Sequence, residues 1–212
     1  MKIAVLGESP EDEAAIKILV DGVLGYETQL VDLPPLRTRG WTVINLLPAI
    51  IKKLHYQTDA EALVVVWDSD DSPVHQSSHD EASGEGARCR LCQTRSVINL
   101  EKSRLRAVPG RSVIKTAVGL AVPAIEAWYR CGLDPHVSEA TWIRKLQYGE
   151  AGIYTRKSLK NDVYGNDRPS SPIKTLYANQ SASRLVRDLT LLEQLFPNGF
   201  GPFARDLRSW LS

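Results

Sequence analysis

Three stretches of the chain are short and mostly apolar, and they set the expected framework of the fold. They span residues 2–6, 62–67 and 111–122. Short apolar runs rich in β-branched residues predict strands that are buried on both faces, as in a parallel sheet. Residues 28–32 are a candidate for one further strand.

Helical patterns separate these strands and continue after them. The first helix is predicted to begin at Ser9-Pro10, where a capping hydroxyl, a proline and three following acids favour a helix start, and to end near residue 24, before Gly25. Further helices are predicted at residues 43–55, 123–132, 141–147, 154–164, 181–195 and 203–211. Alternating strands and helices predict an α/β fold with a mainly parallel sheet flanked by helices.

A chain of 212 residues, 43% hydrophobic and 24% charged, predicts one compact unit. Residues 1–135 are expected to form the α/β core. Residues 136–212 are expected to form a basic, mainly helical C-terminal part packed on that core. The polar stretch 72–95 lacks periodicity and is predicted to be a long loop or a small insertion, with the insertion placed over residues 72–96.

Composition bears on location and on the class of substrate. No basic segment followed by a long apolar one begins the sequence, and no apolar run approaches the roughly 18 residues that span a bilayer. Three cysteines, an odd number, argue against a disulfide framework. We therefore expect a cytoplasmic protein without membrane contact.

The net charge of +1 is unevenly distributed along the sequence. Arginine and lysine concentrate in residues 88–111 and 144–174, and acids concentrate in residues 68–85. A basic surface around an acidic pocket suits an enzyme that handles phosphates through a metal ion. Ordinary solvated faces would give the same distribution.

Acidic residues follow two of the predicted strands. Glu8 comes two residues after the first strand, and Asp68, Asp70 and Asp71 follow the run 62–67. The carboxyl ends of parallel strands share an edge where ligands bind, and carboxylate oxygens suit Mg²⁺. Side-by-side burial of carboxylates is costly unless a cation neutralises them. The pattern predicts a divalent cation site; the alternative is that the three aspartates cap a loop or a helix.

These motifs resemble those of the Toprim domain of topoisomerases, primases and OLD-type nucleases, especially its small members found near bacterial defence genes. The resemblance rests on Gly7-Glu8 with the acids that follow, on Asp68-Ser69-Asp70, and on Glu126 in a Glu-Ala-Trp element. The pair Lys157 and Lys160 resembles a lysine-bearing helix of the family. Together the motifs cover most of residues 1–165. Glycine precedes Glu8 here, whereas in the commoner form of the motif it follows the glutamate.

The resemblance implies a Toprim-like fold and metal-dependent cleavage of phosphodiester bonds, with Mg²⁺ or Mn²⁺ as cofactor. The implied catalytic set is Glu8, Asp68, Asp70, Glu126, Lys157 and Lys160. Its four carboxylates would bind the metal, Glu8 as a ligand or general base and Glu126 at a second metal position. The lysines would neutralise charge on the phosphate oxygens. The alternatives are a helix-start acid for Glu126 and a solvated helix face for each lysine.

A second set of metal ligands falls within the polar stretch. His75, His79, Cys89 and Cys92 supply four borderline or soft ligands in the spacing H-x3-H-x9-C-x2-C. Such a set suits tetrahedral Zn²⁺, and four protein ligands would make the zinc structural. A polar loop cannot form its own core, so a metal would explain its folding. The alternatives are a flexible loop with incidental ligands, or His75 as a base in the acidic site.

Three functions remain open. The first is a Toprim-like nuclease acting on DNA or RNA, in defence against phage or mobile elements. Its basic residues beside the polar stretch would contact the phosphate backbone: Arg88, Arg90, Arg95, Lys102, Arg104 and Arg106. The second is a non-catalytic subunit that binds nucleic acid, an ATPase or another partner in a defence complex. The third is a phosphotransferase or phosphatase of another α/β fold.

Overall fold

The computed structural model describes residues 1–33, 36, 38–76, 78–81, 89–149 and 154–211. Within these residues one sheet is formed by β1 (Lys2–Leu6), β2 (Gln29–Leu30), β3 (Ala62–Asp68) and β4 (Lys115–Ala121). The order across the sheet is β2-β1-β3-β4, and every pairing is parallel. The predicted α/β class and parallel sheet are confirmed.

The middle of the sheet is buried because its strands carry almost only apolar side chains. All seven residues of β3 are buried, as are four of the five residues of β1. Leu6 of β1 pairs with Val65, and Trp67 of β3 pairs with Leu120 of β4. Because the strands run in the same direction and stay in register, the residues that follow them meet at one edge of the sheet.

Helices in the described part of the chain flank the sheet. They are α1 (Pro10–Leu24), α2 (Leu47–Gln57), α3 (Ser78–Glu81), α4 (Arg90–Arg104), α5 (Ile125–Arg130), α6 (Glu139–Tyr148), α7 (Arg156–Tyr164), α8 (Ser171–Leu185), α9 (Leu189–Leu195) and α10 (Phe200–Arg208). None of these helices is both long and apolar enough to cross a membrane.

Three predicted elements have different limits in the structure. The candidate strand 28–32 is reduced to the two residues of β2, which pair only with Lys2 and Ile3 at the edge of the sheet. The strand predicted from residue 111 begins at Lys115, and Arg111 instead donates to the carbonyl oxygen of Ala60 at 2.7 Å. The helix predicted at 43–55 begins as a 3-10 helix over Gly40–Leu46, and α2 follows it.

Helix α4 is the largest departure from prediction. The loop predicted over residues 72–95 is wrong for residues 90–95, and the insertion predicted to residue 96 overlaps the same helix. The buried positions of α4 are Leu91, Thr94, Ile98 and Glu101. Their spacing is helical, yet two of the four are polar, so hydrophobicity alone does not reveal this face. Thr94 is accommodated inside because Trp67 Nε1 donates to its hydroxyl oxygen at 3.0 Å.

The helix predicted over residues 181–195 is two helices in the structure. Helix α8 begins ten residues earlier, at Ser171-Pro172, the same serine-proline signal that starts α1. A 3-10 turn over Val186–Asp188 ends it. Asp188 then caps α9, because its Oδ1 accepts a hydrogen bond from Leu191 N at 3.0 Å.

The C-terminal helices share one core with the sheet. Helix α8 packs against α1, and α10 packs against β4. The ring of Trp128 in α5 meets Phe200 edge-on at 5.2 Å and stacks on Phe203 at 6.3 Å between centroids. Gly119 of β4 permits this approach, since a Cβ there would lie 3.2 Å from Trp128 and 3.3 Å from Phe203. Residues after 136 therefore complete the core.

Glu139, in the first turn of α6, should make stability depend on pH. It is fully buried, its Oε2 accepts from Asn198 N at 2.8 Å, and burial raises its pKa from 4.5 to about 7. The folded chain thus binds this proton more tightly than the unfolded chain. Its contribution is fully present below about pH 4.5 and falls by on the order of 3 kcal/mol as pH rises through about 7.

Glu139→Gln should flatten that part of the pH dependence, measured by denaturant unfolding between about pH 5 and pH 8. Glu27→Gln is the matched control, since the Glu27 side chain is 88% exposed, and it should leave the dependence intact. An unaltered slope in Glu139→Gln would contradict the assignment.

Candidate functional site

Glu8 and Asp68 lie on either side of the point where the strand order reverses. The chain moves outward from β1 to β2 on one side and from β3 to β4 on the other, which leaves a crevice between β1 and β3. Across it, Asp68 N donates to Glu8 Oε1 at 3.2 Å. Gly40 closes the other side of Glu8 with a φ of 73°, and a Cβ there would lie 2.7 Å from Glu8 Oε2. Only glycine fits this position.

Asp68 is a buried acid of the edge, 8% exposed, and it also accepts a hydrogen bond from the start of a helix. Its Oδ1 accepts from the backbone N of Ile125, the first residue of α5, at 2.9 Å. Asp68 therefore satisfies one backbone N–H at the start of α5, as the capping alternative for these aspartates allows. Burial raises its pKa well above the usual range, and the neighbouring Glu126 and Glu8 raise it further. Asp68 is thus a desolvated carboxylate among like charges.

Two more carboxylates complete the buried cluster. Glu126 in α5 is 2% exposed, and its pKa is raised by burial and by the nearby Asp12. Asp12 in α1 is 1% exposed. The pKa of Glu8 is also raised, mainly by burial and further by Asp70. We refer to Glu8, Asp12, Asp68 and Glu126 as the acidic cluster.

Sequence reasoning missed Asp12 as a site residue, because we interpreted it as a helix-start acid and as one of the acids that follow Glu8. The signal was present in the helical periodicity. Asp12 stands three, four and seven residues before Ala15, Ile16 and Leu19, and all of these are buried on α1. An acid on the apolar stripe of a helix points into the protein rather than to solvent.

Several polar atoms around the cluster have no hydrogen-bond partner within the described residues. They are Asp12 Oδ1, Glu126 Oε2 and the hydroxyl of Tyr129. The pKa of Tyr129 is raised well above its usual value, first by burial and then by Asp12. Buried oxygens without partners are costly, so they mark a place where a cation or a polar ligand would be stabilising.

Basic side chains from three helices surround the acids. Arg90 Nη1 donates to Asp68 O at 2.5 Å and to Asp70 Oδ2 at 2.7 Å, and its guanidinium lies 5.1 Å from the Trp41 ring centroid. Arg156 Nη1 lies 2.5 Å from Asp70 Oδ1. Lys174 Nζ lies 2.8 Å from Asp12 Oδ2. Arg156 and Lys174 were not among the predicted site residues, because no local pattern links them to the acids.

Asp70 and Asp71 differ although they are neighbours. Asp70 adopts a φ of 49°, a left-handed conformation that aspartate tolerates better than most residues. Its backbone N donates to Pro123 O at 2.9 Å, which ties the loop after β3 to the start of α5. Asp71 is exposed. Asp70 therefore faces the arginines, and Asp71 faces solvent.

The other predicted basic residues lie in varied places. Lys157 is 73% exposed and pairs with Asp167 at 3.3 Å, whereas Lys160 is close enough to Glu126 to lower its pKa. Arg95 donates to both carboxylate oxygens of Asp206, at 2.9 and 3.0 Å. Lys102 is half-buried, Arg104 and Arg106 are exposed, and Arg88 lies outside the described residues.

The four predicted zinc ligands come together as one compact group. His75 Nδ1 lies 3.3 Å from Cys92 Sγ and 3.8 Å from Cys89 Sγ. The ligand atoms of His75, His79, Cys89 and Cys92 all lie within 4.8 Å of one another. This group could bind a metal ion such as Zn²⁺. We refer to it as the His/Cys cluster.

The acidic cluster is looser than the His/Cys cluster. Over the described ranges, the His/Cys cluster is the one group of three or more histidine, cysteine or acidic residues whose ligand atoms converge this closely. Glu8, Asp68 and Asp12 instead make separate contacts, to Asp68 N, to Ile125 N and to Lys174. The predicted Mg²⁺ or Mn²⁺ site thus stays a prediction.

No protein-family model, curated protein or solved structure matches this chain. The Toprim resemblance accordingly rests on the short motifs alone. What the acidic edge can do chemically has to be inferred from its own residues.

Lys174 should be required for stability because it is the basic partner of the buried Asp12. Lys174→Met leaves Asp12 charged and unpaired, which should cost about 3 kcal/mol in unfolding free energy. Adding Asp12→Asn removes that charge, so the double variant should recover much of the loss. Denaturant unfolding of the three variants at neutral pH measures this coupling. Additive effects of the two substitutions would contradict the pairing.

Proposed function

We propose that the acidic edge binds Mg²⁺ or Mn²⁺ and cleaves phosphodiester bonds in DNA or RNA. The observation that carries this proposal is the group of buried carboxylates with raised pKa values that meet where β1, β3 and β4 end. A divalent cation is the partner that best relieves several desolvated carboxylates at once.

The donor set fits a hard cation. Glu8, Asp68 and Glu126 offer oxygen ligands, and Glu126 Oε2 and Asp12 Oδ1 lack hydrogen-bond partners within the described residues. Bound there, the metal would polarise a phosphate oxygen and lower the pKa of an attacking water. Nitrogen and sulfur ligands, which favour softer metals, are grouped separately at the His/Cys cluster.

Arginines next to the acids suit a phosphodiester substrate. Arg90 and Arg156 reach the same carboxylate of Asp70, at 2.7 and 2.5 Å. A guanidinium binds phosphate oxygens in the same planar geometry as a carboxylate, so a nucleic-acid phosphate could compete for these donors. Lys160, near Glu126, would add positive charge on the same side.

The Toprim resemblance supports the same chemistry. Its three acidic motifs map to the residues after β1, at the end of β3 and after β4, which is one edge of the sheet. A Toprim-like fold, a role in defence against mobile elements and an ATPase partner remain proposals drawn from that resemblance.

A second candidate function is supported by one observation. Arg90 and Arg156 already pair with Asp70, and Lys174 with Asp12, so protein cations balance part of the acidic charge. A domain whose acidic charge is balanced by its own basic side chains could serve as a non-catalytic subunit that binds nucleic acid or a protein partner. In that case binding would survive chelation of divalent metal.

Substitution of the acids should abolish cleavage if the site is catalytic. Asp68→Asn and Glu8→Gln should each reduce Mg²⁺- or Mn²⁺-dependent cleavage of plasmid DNA or RNA by about 100-fold or more. Asp71→Asn is the matched control, because Asp71 is exposed in the same loop, and it should retain activity. Cleavage that persists in both test variants would rule out catalysis here, and unaltered nucleic-acid binding in EDTA would then favour the second candidate.

Metal binding should also appear in stability, independently of cleavage. The raised pKa values of Glu8, Asp68 and Glu126 mean that the folded chain holds these protons more tightly, so stability without metal falls as pH rises above the ordinary carboxyl range near 4. Metal competes with those protons. Mg²⁺ or Mn²⁺ should therefore raise the Tm more at pH 8 than at pH 5.

Glu126→Gln should weaken this stabilisation by metal, whereas the Asp71→Asn control should keep it. If metal raises the Tm equally at both pH values, or raises the Tm of Glu126→Gln as much as that of the unsubstituted chain, the metal binds outside the acidic cluster.

A further inference from the structure

The His/Cys cluster has the dimensions of a tetrahedral zinc site. Zn–S and Zn–N bonds of about 2.3 and 2.0 Å in a tetrahedron separate the ligand atoms by about 3.3 to 3.8 Å. His75 Nδ1 lies at 3.3 and 3.8 Å from the two sulfur atoms. Nδ1 of His79 is buried and has no hydrogen-bond partner among the described residues. This nitrogen is therefore available as a ligand atom, and the ligand atoms of the four residues lie within 4.8 Å of one another.

Charge and burial favour the same metal. Two thiolates and two neutral imidazoles around Zn²⁺ give a neutral unit, which can be buried at low cost. Cys89 and His75 are 0% and 2% exposed. Sulfur and imidazole ligands select zinc over the hard cations expected at the acidic edge.

The cluster is attached to the first turn of α4. Cys89 is the N-cap residue of this helix, and Cys92 lies in its first turn. Thiolates at a helix N-terminus are stabilised by the unpaired backbone N–H groups and by the helix dipole. No acid occupies the first turn of α4, so the two cysteines are the residues that a metal could hold as thiolates at this helix start.

One of the two residues between the cysteines reaches the acidic edge. Arg90 follows Cys89 directly, and its Nη1 contacts both Asp68 O and Asp70 Oδ2. His75, the first ligand of the cluster in the sequence, follows the same Asp68–Asp71 loop after three residues. A metal at the cluster would therefore join the loop that carries the acids to the helix that carries Arg90.

We propose that the His/Cys cluster is a structural zinc site that fixes the first turn of α4 and thereby holds Arg90 against Asp68 and Asp70. Zinc acts here as a positioning element, and Arg90 is a positioning residue for the loop after β3. The inference does not depend on whether the acidic edge cleaves phosphodiesters.

The rest of α4 is held without the metal. Thr94 accepts a hydrogen bond from Trp67, and Arg95 pairs with Asp206 of α10. Loss of zinc should therefore loosen the first turn and leave the later turns in place. A cavity of about 530 Å³ lined by His79, Cys92 and Arg95 reaches the cluster, which gives metal and chelator a route to it.

Metal content of the full-length purified chain is the first test. We expect about one zinc per chain, lost in Cys92→Ala, and visible absorption of tetrahedral thiolate-bound Co²⁺ after exchange. Cys131→Ala is the matched control, because Cys131 is buried at the end of α5, away from the cluster, and should retain zinc. His79→Gln, at a half-buried ligand, serves if Cys92→Ala does not fold, and should also lower zinc content. Chains without zinc and without the Co²⁺ absorption would overturn the site.

Hydrogen exchange and a double-substitution cycle test the positioning role. Chelation should lower the protection of the amide of Gln93, which donates to Cys89 O at 3.0 Å, and leave the amides of residues 98–104 unchanged. Arg90→Ala should lower the Tm of the zinc-loaded chain, and should lower it less in the Cys92→Ala background, since Arg90 is no longer held there. If the two substitutions lower the Tm additively, or if chelation of the zinc-loaded parent chain leaves protection unchanged, the metal does not position Arg90.

Discussion

Desolvation of carboxylates at the carboxyl edge of a buried parallel sheet is the constraint on which the rest of this structure depends. Strands β1 and β3 are apolar except for Lys2 at the start of β1 and Asp68 at the end of β3, so the acids at this edge adjoin a buried apolar core. Glu8 and Asp68 are placed there within hydrogen-bonding distance, and burial raises the pKa of both. Each further negative charge raises the free energy of the folded state unless a proton or a cation balances it.

The basic side chains that balance these carboxylates come from distant parts of the chain. Lys174 binds Asp12 across 162 residues of sequence, and Arg156 binds Asp70. Helices α7 and α8 therefore bring positive charge to the edge of the sheet. Lys174 reaches Asp12 because α8 packs along α1. Core packing and the electrostatics of the site are consequently linked through the same pair of helices.

The acidic cluster and the His/Cys cluster are separate groups of ligands, and Arg90 connects them. The acidic cluster offers oxygen ligands, and the His/Cys cluster offers sulfur and nitrogen ligands, so the two prefer different metals. Arg90 lies between them, covalently next to Cys89 and hydrogen-bonded to Asp68. A change at one cluster can therefore reach the other through a single side chain and one helical turn.

The sequence by itself determined the features that depend on neighbours along the chain. Apolar runs predicted β1 and β3. The positions of Glu8 and Asp68 next to the ends of those runs predicted that both acids lie at one edge of the sheet, and the ligand spacing predicted the His/Cys cluster. Tertiary structure decided the rest. Helix α4 was missed because Thr94 and Glu101 take buried positions whose partners come from other elements. Asp12, Arg156 and Lys174 joined the site only through folding, because contacts between residues far apart in sequence leave no local periodic signal.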